Sequence, residues 1–283
     1  MGEGAPVDVA MVLCQWATGG LAYLWLTTRR REVGLGYGWL LRSLYGAIAG
    51  IAAITGFVFH PNAVRDVACI AMSACAFATL ARSARPDSPA AGSAESHPGD
   101  GSHAVEPAQP RPRRTIEGFD PRWDLAAPLA GVVGVVVAGL GASGDVNPVL
   151  HLARIIAGAA FLGVVSDSML LGHWYLVQPG LRREPLRELV RHLGAVWPFE
   201  VGLLLLPIGM VSVLNGSIDD GYGGLLGWFW VACAITAAAL AAVAMAALRE
   251  RQYAAVMAAT GLLYLAILTG FGTDLVARLT LAG

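Results

Sequence analysis

Two carboxylates, a histidine and a serine hold the chemistry that this chain displays most openly. Asp167 lies deep in the apolar stretch 151–181, HLARIIAGAAFLGVVSDSMLLGHWYLVQPGL, with Ser166 beside it and His173 toward its far end. Glu200 follows in the next apolar run, two residues after Pro198. A charged side chain at mid-membrane costs about 2.5–3.5 kcal/mol on insertion scales, and such residues face a bundle interior or a wet cavity. An acid there is costly to ionise, so it is suited to taking up and releasing a proton. The spans set out below put Asp167 and Glu200 in the same, inner half of the bilayer on consecutive helices. That placement predicts a shared polar pocket, and with His173 and Ser166 it would form a proton or quinone site. The plainer alternative is a neutral Asp167 bonded to a neighbouring helix and a Glu200 near the interface.

Helix geometry limits how these residues combine. At 100° per residue His173 falls within about 20° of Ser166 but about 120° from Asp167. His173 and Asp167 are therefore not an acid–base pair on one face. A second polar group, Arg65, Asp66, Arg154 and Asp274, falls near the opposite ends of the spans, with Asp274 and Arg278 at the i,i+4 spacing of a helical ion pair. It is expected to form an outer cluster, either a packing device or a vestibule for an anion. Histidine also binds haem iron. His151 and His173 are about 33 Å apart along a helix, too far for two stacked haems on one span, while a single haem b between His60 and His151 stays geometrically open.

The elements that must carry these residues follow from composition. The 283 residues are 56% hydrophobic and only 14% charged, against about 25% charged in an ordinary soluble domain. So much apolar surface cannot be hidden in one aqueous fold, and a multi-span membrane protein follows. All 19 basic side chains are arginine. Without lysine there is no Schiff base of the retinal type and no phosphate-loop lysine. The formal net charge of −1 argues against nucleic acid as a partner. Cys14, Cys69, Cys75 and Cys233 all fall in apolar runs without the close pairing of a metal site, and no metal is expected.

The expected fold is all-α, a polytopic bundle of about eight transmembrane helices near 7–26, 36–59, 63–80, 125–141, 151–181, 196–214, 225–248 and 253–276. Residues 1–82 would form a three-helix segment and 123–283 a five-helix segment. Between them 83–122, rich in Pro, Ser, Gly and charge, reads as a disordered cytoplasmic linker. Near 183–193 the apolar positions Leu186, Leu189, Val190 and Leu193 recur at helical spacing opposite Arg183, Arg187 and Arg191, the pattern of a helix lying on the membrane surface. With both termini outside, sixteen arginines gather inside and three, Arg65, Arg154 and Arg278, outside, as the positive-inside rule demands. The plasma or inner cell membrane is the expected location. Span count and outside termini are similar to quinol-interacting membrane subunits of the polysulfide-reductase type, a likeness of topology alone. Three functions are compatible with this pattern: a membrane subunit of a redox or quinone-linked complex with soluble or membrane partners, a proton-coupled carrier of a small solute, or a scaffold without a site of its own.

Overall fold

The computed structural model describes residues 8–84, 120–141 and 147–281, and they are all-α. Among the described residues nine α-helices follow in order: α1 (Val9–Thr28), α2 (Leu35–Phe59), α3 (Ala63–Ala84), α4 (Ala126–Gly141), α5 (Pro148–Val177), α6 (Glu184–Leu205), α7 (Gly209–Leu214), α8 (Leu225–Ala247) and α9 (Tyr253–Leu281). A 3-10 turn, Pro121–Leu125, leads into α4. Among the described residues seven helices are long and apolar enough to cross a membrane: α1, α2, α3, Pro121–Gly141, α5, α8 and α9. Most of the expected linker lies outside the described residues, as do His97 and His103. Its edges belong to helices, Ser83 and Ala84 to α3 and Arg122 to the 3-10 turn.

Local signals explain the helix starts. Asp8 caps α1 by accepting from the Met11 amide at 3.1 Å. Asn147 caps α5 by accepting from the Val149 amide at 2.9 Å, with Pro148 pre-set for the first turn. Gly224 stands before α8 at φ 86, a conformation open to glycine. The two halves of the chain interlock, with α1 packed on α2, α4 and α5, α3 on α4, and α8 on α9. The outward surface is apolar: Phe57 is 77% exposed, Leu268 70% and Phe199 68%. So broad an apolar exterior needs lipid against it.

One element differs from expectation. The surface helix near 183–193 and the start of the sixth span are a single continuous helix, α6. Leu186, Leu189, Val190 and Leu193 do share a face, and that face is buried in the main core. Pro198 is accommodated inside α6. The helix stops at Leu206, whose extended backbone (φ −86, ψ 153) suits a residue before Pro207. The expected 196–214 span is thus the second half of α6, a break at 206–208, and the short α7.

Candidate functional site

Asp167 is completely buried on α5. Its Oδ1 accepts a hydrogen bond from the Tyr45 hydroxyl of α2 at 2.5 Å, and its Oδ2 has no partner among the described residues. Close helix approach makes this meeting feasible. α1 and α5 touch backbone to backbone, since a Cβ on Gly19 would lie 1.8 Å from the Ala159 carbonyl oxygen and one on Gly163 2.3 Å from the Gly19 carbonyl carbon. The Tyr45 ring lies over Gly20, where a Cβ would come within 2.2 Å of its Cζ. Asp167 is one helical turn beyond Gly163, so a crossing of small residues lets Tyr45 reach it across α1. Tyr23 and Tyr37 are within electrostatic reach of the same carboxyl. Gln15 and Ser168, both buried, hold side-chain polar atoms without partners among the described residues.

The other expected members of this site go elsewhere. Ser166 accepts from the Trp16 indole at 2.8 Å and donates to the Leu162 carbonyl at 2.7 Å, so it ties α1 to α5. His173 is exposed, and its Nδ1 meets the Tyr264 hydroxyl of α9 at 2.9 Å. Glu200 is fully buried but sits beside Asp274 and Arg278 of α9 and near Arg154 of α5. Those partners fix its level: a Cβ on Gly158 would meet Asp274 Oδ1 at 2.7 Å and an Arg278 nitrogen at 2.6 Å. Gly158 and Arg154 precede Asp167 by nine and thirteen residues, roughly 14 and 20 Å along α5. The pocket joining Asp167 with Glu200 is therefore not formed. The physical reason is the early start of α6, which carries Glu200 toward the far end of the bundle.

The expected outer cluster is two groups. In one, Arg65 binds Asp66 at 2.9 Å, Asp8 at the start of α1, and the His60 carbonyl. In the other, Asp274 takes both hydrogen bonds of Arg278, at 2.7 and 2.8 Å. Arg154 there donates to the Leu203 carbonyl at 2.9 Å and to that of Leu206, satisfying the carbonyls freed where α6 ends. Neither oxygen of Glu200 finds a hydrogen bond of good geometry. His60 belongs with the first group and His151, close to Arg154 and Arg278, with the second. The two histidines that a haem b would need thus stand in different groups.

A further buried site was not anticipated. Arg42 of α2 grips Asp124 of the 3-10 turn with both arms of its guanidinium, at 2.7 and 2.8 Å. Ser83 and Thr28 also join, at 3.3 Å to Arg42 and 3.2 Å to Asp124. A signal existed: Arg42 is a lone charge in its span, Asp124 opens an apolar run at the same end, and buried charges of opposite sign pair.

No family model, curated protein or solved structure matches the chain. Among the described residues no group of three or more His, Cys, Asp and Glu is placed to hold a metal ion. What the arrangement offers chemically is a carboxyl with one oxygen anchored by a phenol and the other open, sealed from lipid by α1, α2 and α5.

Proposed function

We propose that this is a proton-linked carrier of a small solute, with Asp167 as the group that takes up and releases the proton. The observation that carries the proposal is the half-satisfied carboxyl itself. Tyr45 fixes one oxygen of Asp167 while the other, buried next to the partnerless Ser168, is open to a proton or a polar ligand. An ionisable residue kept at membrane depth is by default functional.

The same proposal includes topology. α6 starts beside the α1 terminus, where Glu188 meets Arg29 at 3.0 Å and Arg30 at 3.2 Å, and ends beside Arg154. We take α6 and α7 as an eighth, broken crossing, with the arginine-rich end in the cytoplasm and both termini outside. The plasma or inner membrane is its location on this reading.

The test uses purified protein in liposomes holding a pH-sensitive dye, challenged with a panel of amino acids, sugars, organic acids and amines. At least one class is expected to drive a change of internal pH, and Asp167→Asn, which can still accept from Tyr45, is expected to abolish it. Proton movement unaltered in Asp167→Asn would remove the role assigned here.

A quinone-linked membrane subunit is the second reading, favoured by the exposed His173–Tyr264 pair, two hydrogen-bonding rings presented at the apolar surface. It predicts quinone in lipid extracts of gently purified protein, lost in the His173→Leu, Tyr264→Phe double variant.

A further inference from the structure

A different part of the molecule has the charge and shape of a ligand site. At the arginine-rich end, a cavity of about 570 Å³ is lined by Trp25, Arg29, Arg31, Asp120, Pro121 and Arg122. Its charges are unequal in their commitments. Asp120 caps the 3-10 turn, with Oδ1 accepting from the Arg122 amide at 3.0 Å. Arg29 binds Glu188 at 3.0 Å and lies 5.6 Å over the Trp25 ring. Arg31 and Arg122 are exposed and have no ion-pair partner among the described residues. Two uncommitted guanidinium forks thus border one cavity whose single carboxylate is already engaged.

Position narrows the ligand. The cavity lies just past the end of α1 at Thr28 and just before α4 begins at Ala126, the level at which apolar spans give way to headgroups. Trp25 on its wall is the residue type that prefers that level. A guanidinium fork matches the oxygens of a phosphate in a two-point grip, and basic pockets beside membrane helices take anionic headgroups. We infer that this cavity binds the phosphate headgroup of an anionic phospholipid, held by Arg31 and Arg122, with Trp25 against the glycerol and upper acyl region.

Native mass spectrometry of the detergent-purified full chain, titrated with phosphatidylglycerol or phosphatidylcholine, tests this. The expected result is one saturable phosphatidylglycerol site that phosphatidylcholine does not fill. In the Arg31→Gln, Arg122→Gln double variant its affinity should fall about thirtyfold, the effect of two arginines near an anionic surface. The Arg249→Gln, Arg251→Gln pair removes equal exposed charge from the same end and should leave the site intact. Equal loss in both pairs would mean diffuse charge attraction and overturn the assignment. So would equal binding of the two lipids, or full competition by inorganic phosphate at the lipid's own concentration, which would mark a site for free phosphate. If the double variant melts earlier in lipid-free detergent, the single variants decide: each should retain the site with affinity lowered about fivefold, and unchanged affinity in both would overturn the proposal.

Discussion

At Asp167 the fold leaves a buried carboxyl half satisfied. A hydrogen bond contributes modestly when made, but a buried polar atom left without one costs about 1–3 kcal/mol. Tyr45→Phe removes the only partner of Asp167 among the described residues, so it should destabilise by about that amount, read as a lowered melting temperature in detergent. Adding Asp167→Leu to Tyr45→Phe should recover much of the loss, because the orphaned acid goes with the phenol. A double variant no better than Tyr45→Phe would show that the bond is not what the phenol supplies. The Arg42–Asp124 pair behaves differently because both partners are charged. Breaking one side of a buried pair costs about 3–5 kcal/mol, whereas replacing both with apolar residues is often neutral. Arg42→Gln should therefore be far more damaging than Arg42→Met combined with Asp124→Leu, and equal damage would deny the pair its desolvation cost. Asp167 is legible in the sequence as a lone acid in an apolar run. Tyr45 is not, because its partner lies 122 residues away and nothing in spacing along one chain ties a phenol to a carboxyl on another helix.

Helices in lipid gain little from burying apolar side chains against each other, so close approach through small residues carries the association. The α1–α5 crossing at Gly19 and Gly163 is the tightest instance bearing on the site, because the obstructing atoms are backbone and cannot rotate away. Gly163→Ala should push α1 from α5 and cost about 1–3 kcal/mol by overpacking. Gly202→Ala on α6, where a new Cβ meets nothing within 4 Å, should be neutral or gain up to about 1 kcal/mol from helix propensity. Comparable melting temperatures for the two variants would contradict the crossing. Element boundaries divide the same way between legible and hidden. Seven apolar runs announce their helices because each is long and uncharged enough to be read alone. α6 does not, because Glu184, Arg187, Glu188 and Arg191 occupy its first half and conceal that helix and apolar run are continuous. From that one boundary came the misplaced level of Glu200: a helix begun about twelve residues early carries its acid roughly 18 Å further along the axis.

For the whole molecule, the decisive question is whether the α6–α7 path crosses the bilayer, since seven crossings would put the chain ends on opposite faces and eight on the same face. Physical constraint favours crossing. Lipid supplies no partner for freed carbonyls, yet at the break those of Leu203 and Leu206 are met by Arg154, the kind of compensation an interrupted span needs. Arg187, near the start of α6, bonds the Leu248 carbonyl at 3.0 Å at the end of α8, while Gly227, near the start of α8, packs on Val213 and Leu214 of α7. The path therefore runs the length of α8 in reverse. Single cysteines at Pro179, between α5 and α6, and at Ser217, between α7 and α8, report the two faces. Both sites are exposed, and three of the four native cysteines are buried with the fourth half-buried, which keeps background labelling low. With a membrane-impermeant maleimide on intact cells, Ser217→Cys should label and Pro179→Cys should label only after permeabilisation. Labelling of both from the same side would mean that α6 and α7 turn back within the bundle. The proposed topology would then fall while the Asp167–Tyr45 bond stood, because that bond depends on α1, α2 and α5 alone.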